Sequence, residues 1–259
     1  MSDPFANQRL DGRTIVVTGS TQGLGAAIAR RCASLGASVV ITGRDGARGK
    51  AVAAELDGTF VAADLTDPEA CRGIMRGCDR LDGLVNAAGL SSRGTLDDTS
   101  VELWDRLFAI NARAPFILMQ EAARRMRDGG SIVNIITMAS HGGEPVLTGY
   151  SASKGALVTL TRNAGYALQP RRIRVNGLNI GWTATEGEHG VQTETGQAED
   201  WLSDADASRP LGRLLRPEDI APMVTYLLSD ASAMVTGSVI DFDQTVLGPY
   251  GEHVQAAVR

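Results

Sequence analysis

The sequence predicts a single α/β domain: a doubly wound, mainly parallel sheet of about seven strands with helices on both faces. Three observations carry this. Short apolar, β-branched runs alternate with amphipathic helical stretches along most of the chain. The first run ends in a glycine-rich turn that opens straight into a helix, the start of a βαβ unit of about 30 residues. The length, 259 residues, suits one domain with a large core, so all of 1–259 is taken as one unit.

The elements follow in order. Thr14-Ile15-Val16-Val17-Thr18 is short, apolar and β-branched, and is predicted as a buried strand. It runs into Gly19-Ser20-Thr21-Gln22-Gly23-Leu24-Gly25, then a helix over about 24–35 and a strand over 38–42. A helix over about 46–56 precedes a strand over 59–63, which ends at Asp64. Pro68 suits the first turn of the next helix. Leu84-Val85-Asn86 is a strand that opens into Ala87-Ala88-Gly89. A long helix is predicted over about 101–127, kinked at Pro115. A strand over 131–136 precedes a helix from Tyr150 to about Leu168, stopped by Pro170. A strand over 173–178 leads into a polar stretch, 186–208, with no clear period. A helix over 217–228 begins at Pro217, and a strand over 235–242 ends the sheet. Right-handed crossovers put the strands' C-terminal ends along one edge, where ligands bind. Gly19, Asp64, Asn86 and Thr137 fall there, as does the loop after Leu178.

Composition narrows the partners. A hydrophobic share of 43% and a charged share of 21% fit a soluble globular protein. The net charge of −5, with no basic tract, argues against nucleic acid. The three cysteines, Cys32, Cys71 and Cys78, have no metal-like spacing and imply neither a metal site nor a disulfide framework. A reducing, cytoplasmic setting is expected. Residues 1–13 lack an apolar signal segment, and the longest apolar runs are strand-sized, so no membrane partner is expected.

Two stretches carry chemistry. The glycines of 19–25 allow a tight turn and let backbone approach a pyrophosphate at a helix N-terminus, where free N–H groups favour anions. Their spacing is GxxxGxG rather than GxGxxG, and a plain tight connection is the alternative. In Tyr150-Ser151-Ala152-Ser153-Lys154, tyrosine and lysine lie one helical turn apart on one face. A phenol is a poor proton-transfer group at neutral pH, and a neighbouring ammonium lowers its pKa into use. Alone, such a pair is also an ordinary helix-surface pair.

Taken together, Thr18-Gly19-xxx-Gly23-x-Gly25, Asp64, Asn86-Ala87-Ala88-Gly89, Asn111 and Tyr150-xxx-Lys154 strongly resemble the short-chain dehydrogenase/reductase family, over about 11–243. The resemblance implies a Rossmann-like fold and NAD(P)-dependent hydride transfer between a secondary alcohol and a ketone or aldehyde, chemistry on CH–OH groups. It implies that Tyr150 exchanges the proton with the substrate oxygen, that Lys154 lowers its pKa and meets the nicotinamide ribose, and that Asn111 holds a water beside Lys154. Gly19, Thr21, Gln22, Gly23, Leu24 and Gly25 would line the pyrophosphate, Asp64 and Leu65 the adenine, and Asn86, Ala87, Ala88 and Gly89 the rest of the cofactor site. Outside the family, Asn111 reads as a kink or capping residue, and Asp64 as a helix cap ahead of Thr66 and Asp67. A homotetramer, or a homodimer, packed through the helices carrying Asn111 and Tyr150 is also implied.

The departures from the family pattern matter. Thirteen residues before Tyr150, where the family has a serine, stands Thr137; its hydroxyl has the same capacity, but its methyl restricts χ1. Ser140 is the runner-up. After the sixth strand the chain reads Asn179-Ile180-Gly181-Trp182-Thr183 rather than Pro-Gly; backbone donors at Ile180 and Thr183 are expected to meet the carboxamide. Asp241-Phe242-Asp243-Gln244 replaces Asp-Gly-Gly, with no consequence readable from sequence. The acidic residue that selects NAD is replaced by Gly43, followed by Arg44, which favours NADP(H) over NAD(H). Asp45 beside Arg44, and Gln22 where a basic residue often stands, weigh against it. The lid, 183–210, carries Glu186, Glu188, His189, Gln192, Glu194, Glu199 and Asp200 with Trp182 and Trp201. That lining suits a small polar substrate, a sugar, polyol or hydroxy-ketone, with tryptophan faces for C–H groups. His189 is read as a surface residue and His141 as the active-site rim histidine. A 3-oxoacyl thioester reductase and a non-catalytic dinucleotide-binding protein are the alternatives.

Overall fold

The computed structural model describes residues 6–247 apart from 79, 197 and 199; Glu199 of the expected lid therefore lies outside the described residues. The strands are β1 (Thr14–Val17), β2 (Ser38–Gly43), β3 (Thr59–Ala62), β4 (Leu81–Asn86), β5 (Met126–Thr137), β6 (Arg174–Ile180) and β7 (Val239–Phe242). They form one seven-stranded sheet in the order β3-β2-β1-β4-β5-β6-β7. Every pairing is parallel. The doubly wound parallel fold is as predicted.

Helices α1 (Gly23–Ser34), α2 (Gly46–Glu55), α3 (Pro68–Arg76), α4 (Val101–Phe108), α5 (Ala114–Arg125), α6 (Thr148–Ala167), α7 (Glu186–Glu194), α8 (Trp201–Ala207) and α9 (Pro217–Leu228) complete the fold. One face of the sheet is covered by Ile28 and Cys32 of α1, Val52 of α2, and Ile220, Val224 and Leu227 of α9. The other is covered by Ile74 and Met75 of α3, Ile117 and Leu118 of α5, and Leu157 of α6. Each such fully buried side chain contributes about 1.5–3 kcal/mol of burial. None of the helices among the described residues is long and apolar enough to cross a membrane.

Four boundaries differ most from expectation. Strand β4 starts at Leu81, not Leu84, because Gly83 packs with no room for a side chain: a Cβ there would lie 2.5 Å from Ile15 Cδ1. Strand β5 reaches back to Met126 through polar Arg127 and Asp128, with a register shift at Leu81/Gly83. Strand β7 starts only at Val239, since Gly237 takes φ +68° and its N–H turns to the Val175 carbonyl. The long helix over 101–127 is two α-helices joined by a π-helical turn, Ala109–Arg113. Pro115 follows that turn and has no N–H for the Asn111 carbonyl four residues back.

Candidate active site

The glycine loop rises from β1 into α1. Gly19 takes φ +64°, and a Cβ there would lie 2.8 Å from Ala88 Cα. A Cβ on Gly25 would collide with the Gly19 carbonyl oxygen. Side chains are thus excluded, and the α1 N-terminus comes close to the β4 loop. Thr18 locks the two together: its Oγ1 accepts the Ala87 and Ala88 N–H groups, both at 3.1 Å. Ser20 Oγ donates to the Val17 carbonyl at 2.6 Å and accepts the Thr42 N–H at 3.0 Å, tying the loop to β2. Gly43 leaves room for Thr21, whose Cγ2 would be 2.6 Å from a Cβ there. This bare, N–H-lined turn fits a dinucleotide pyrophosphate.

Around it stand the adenine-side residues. Hydrogen bonds from the Thr66 N–H and hydroxyl hold Asp64 below the usual carboxylate range, and the charge of exposed Arg44 adds to this. Asp64 makes that turn with Thr66 rather than capping α3; the cap is Asp67, which accepts the Glu69 N–H at 2.8 Å. Arg48, which sequence reading passed over, donates to Gln22 Oε1 and pairs with Asp45 at 3.3 Å and Glu186 at 3.8 Å. A guanidinium therefore stands beside the position where Gln22 had seemed to leave none. Asp45 is the cap of α2 and accepts the Arg48 N–H at 3.0 Å; that cap, with Arg48 one turn on, was the available signal.

Asn86 ends β4, 2% exposed, and donates to Asn134 Oδ1 at 2.7 Å; Asn134 in turn donates to Thr161 Oγ1 at 2.9 Å. Asn86 Oδ1 is buried without a partner among the described residues. Asn111, fully buried on the π-helical turn, accepts the Leu90 N–H at 2.9 Å and donates to the Leu90 carbonyl at 2.8 Å and to Ser153 Oγ at 3.0 Å. Its side chain is consumed in clamping the β4 loop to α6. Its backbone carbonyl has lost its α-helical donor to Pro115.

Helix α6 presents Tyr150 and Lys154. Lys154 is 3% exposed and Nζ donates to the Ile135 carbonyl at 2.8 Å. A Cβ on Gly89 would stand 3.5 Å from Nζ and 3.6 Å from Asn111 Oδ1, so all three share one pocket. Burial pulls the Lys154 pKa down to about 8. Tyr150 keeps part of its ring in contact with solvent, yet burial of the phenol pushes its pKa up to about 12; a hydrogen bond with Thr137 opposes this, and the Glu188 charge adds to it. The phenol is thus raised, not lowered as the Tyr–Lys spacing suggested: desolvation outweighs the Thr137 hydrogen bond, and the Lys154 ammonium is turned to the Ile135 carbonyl. Thr137, thirteen residues upstream, is the hydroxyl beside the phenol. Ser140 instead donates to Asn179 Oδ1 at 3.3 Å.

The β6 loop and lid close the far side. Ile180 lies in the ladder, paired with Thr137 and Phe242. Thr183 bridges Leu215 through its neighbours, the Trp182 carbonyl and the Ala184 N–H, which leaves the Thr183 N–H out of that ladder. The lid is two helices, α7 and α8, where the sequence showed no period. Thr185 caps α7 and would lie 3.6 Å from a Cβ on Gly23, so the lid rests on the glycine loop. The tryptophans are not free faces: Trp182 stacks on Trp201 at 5.9 Å and carries Arg209 over its ring at 5.4 Å, and Trp201 is 5% exposed. The expected stacking of substrate on both rings is corrected by this packing. Trp201 Nε1 donates to His189 Nδ1 at 2.9 Å, and His189 is exposed. The role of the last departure emerges here. Asp241 accepts from Asn179 at 2.8 Å and faces His141 Nε2 at 3.0 Å, while Gln244 ties Leu211 and Arg213 at the lid's end.

No group of metal-ligating side chains occurs among the described residues. The family model described as "Enoyl-(Acyl carrier protein) reductase" matches residues 19–244. A solved short chain dehydrogenase/reductase family protein superposes with a TM-score of 0.81 at 37% identity, covering 91% of this chain and 97% of its own. The inactive 2-(S)-hydroxypropyl-CoM dehydrogenase 2 of Xanthobacter autotrophicus is 38% identical over 83% of this chain and 97% of its own length. The NADP-dependent (R)-specific alcohol dehydrogenase of Lentilactobacillus kefiri is 32% identical over 89% of this chain and 94% of its own.

Proposed function

The chain belongs to the short-chain dehydrogenase/reductase family, and from that premise we propose that it interconverts a secondary alcohol and its ketone or aldehyde with NADP(H), Tyr150 handling the proton. The observation that carries this reading is Tyr150 one helical turn from a buried Lys154, whose ammonium shares its pocket with Gly89 and Asn111, with the Thr137 hydroxyl near enough to lower the phenol's pKa. The dinucleotide supplies or takes the hydride. In reduction Tyr150 gives its proton to the substrate oxygen, and in oxidation it takes that proton back. Thr137 holds the same oxygen in place of the family's serine. Lys154, charged below about pH 8, favours the phenolate as it forms. Gly19, Gly23 and Gly25 hold the pyrophosphate, Asp64 and the Asn86–Gly89 segment line the adenine and nicotinamide halves, and the Thr183 N–H meets the carboxamide.

Preference for NADP(H) is supported by Arg44, by Gly43 in place of a carboxylate, and by Arg48 held beside Gln22. Two guanidiniums then flank the place of a 2′-phosphate. A relative named NADP-dependent agrees. A small, polar substrate is supported by the lid, whose inner face carries Glu188 and Gln192 rather than a broad apolar lining. The non-catalytic alternative draws on the raised phenol pKa and on a relative named inactive. The deciding test is fluorescence titration with NADPH and NADH, followed by turnover of a carbonyl panel by wild type and Tyr150→Phe. Binding in both proteins with turnover in wild type alone supports the enzyme. Binding without turnover in either supports the alternative.

A further inference from the structure

The lid holds one carboxylate that its own packing uses only by half. Glu188 sits in the first turn of α7, its N–H accepted by Thr185 Oγ1 at 3.1 Å. Its Oε1 accepts from Trp182 Nε1 at 2.8 Å and from Gln192 Nε2 at 2.6 Å. Arg93 Nη2 lies 3.9 Å from the same oxygen. All three contacts fall on Oε1, and no hydrogen bond reaches Oε2 among the described residues. The Glu188 side chain is 17% exposed and that of Arg93 33%, so both are partly buried and still reachable from solvent. The pair is placed by backbone. Gly94, next to Arg93, donates to the Val146 carbonyl at 2.9 Å and accepts the Thr148 N–H at 3.1 Å, two residues before Tyr150. Glu188 and Arg93 therefore meet above the start of α6, and the Glu188 charge reaches the Tyr150 phenol.

We propose that Glu188 and Arg93 form a subsite for a hydroxyl group carried near the reacting carbon of the substrate, which makes Glu188 the residue that selects hydroxy-ketones and polyols over plain ketones. The proposal rests on the reading of Tyr150 as the proton donor and deepens it. A hydroxyl is the group that suits both partners: it donates to Glu188 Oε2 and accepts from Arg93. A substrate carboxylate would face Glu188, and an ammonium would face Arg93. A plain alkyl group would cover the carboxylate without a donor, and a site built to hydrogen-bond a hydroxyl discriminates strongly against the analogue that lacks it.

The test uses two matched pairs with NADPH: 1-hydroxy-2-butanone against 2-butanone, and 2-hydroxycyclohexanone against cyclohexanone. Wild type is expected to favour the hydroxylated member of at least one pair by roughly tenfold or more in kcat/KM, mainly through KM. Glu188→Gln keeps an oxygen for Trp182 and Gln192 but loses the second anionic acceptor. It is expected to bring that ratio to within about threefold of one while the NADPH dissociation constant stays put. Because a neighbouring hydroxyl activates a carbonyl on its own, the ratio in the variant is the control. An equal ratio in wild type and Glu188→Gln overturns the proposal and leaves the oxidoreductase reading standing. NADPH binding with no turnover of any of the four ketones overturns both.

Discussion

At Tyr150 two forces oppose each other, and burial is the larger. The phenol is pushed up to about 12 while Lys154 is drawn down to about 8. Tyr150→Phe should therefore lower carbonyl reduction by about 10²–10⁴-fold and leave NADPH binding within about twofold, read by steady-state rates and fluorescence titration. The pH dependence follows from the signs. Below about pH 8 Lys154 keeps its proton, and above it the ammonium is lost. The free-enzyme profile of kcat/KM for reduction should be flat through neutrality and fall above about pH 8. A profile that stays level to pH 10 would remove Lys154 from the proton path. A charged lysine held at 3% exposure also costs stability. Its folded pKa lies below the unfolded value, so the cost is full below about pH 8 and is relieved as pH rises toward 10.5. Lys154→Met should thus melt a few degrees higher than wild type at pH 7 while losing turnover, seen in a thermal scan beside an assay. Of these residues the types and spacings were legible in the sequence. The direction of the tyrosine shift was not, because desolvation depends on what surrounds the ring and not on its helical neighbour.

The element that changes most between sequence and structure is the stretch from α4 to α5. Its hydrophobic pattern reads as one helix, and Pro115 was legible as a disturbance. The extra residue of the π-helical turn was not, since a one-residue slip barely alters periodicity. That turn aims Asn111 at Leu90 and Ser153. Asn111→Ala would leave the half-buried Leu90 N–H and carbonyl without their side-chain partner, at a cost of about 1 kcal/mol in a denaturant melt. Helix α2 offers a second case. Arg48 is invisible as a site residue in sequence because its importance lies in contacts with Gln22 and Glu186, one before and one far after it. Arg48→Ala should weaken NADPH binding several-fold and leave NADH binding unchanged; equal losses would mean that the side chain only braces the lid.

Across the whole molecule the fold class was readable because most strands carry an apolar run and several are followed by a glycine or polar residue. The lid was the illegible part. Its helices are short and held by Trp182, Trp201 and Glu188 contacts rather than by an amphipathic period. The surface carries a further expectation. Val101 is 70% exposed on α4, Phe116 46% on α5 and Tyr166 76% on α6, with Trp104 stacked on Phe108 between them. We propose that these helices pack against a second copy of the chain, and Trp104→Glu should shift the species toward monomer in analytical ultracentrifugation.

The central pairing of β1 with β4 has a consequence for how the chain is made. Thr18 meets Val85 across 67 residues, and the glycine turn takes its shape only when Ala88 arrives against Gly19. During synthesis the first three strands can pair with one another before β4 leaves the ribosome. The nascent chain must then carry an open sheet edge at β1 until β4 (Leu81–Asn86) emerges, a window in which it is prone to aggregate and in which a chaperone would find its client.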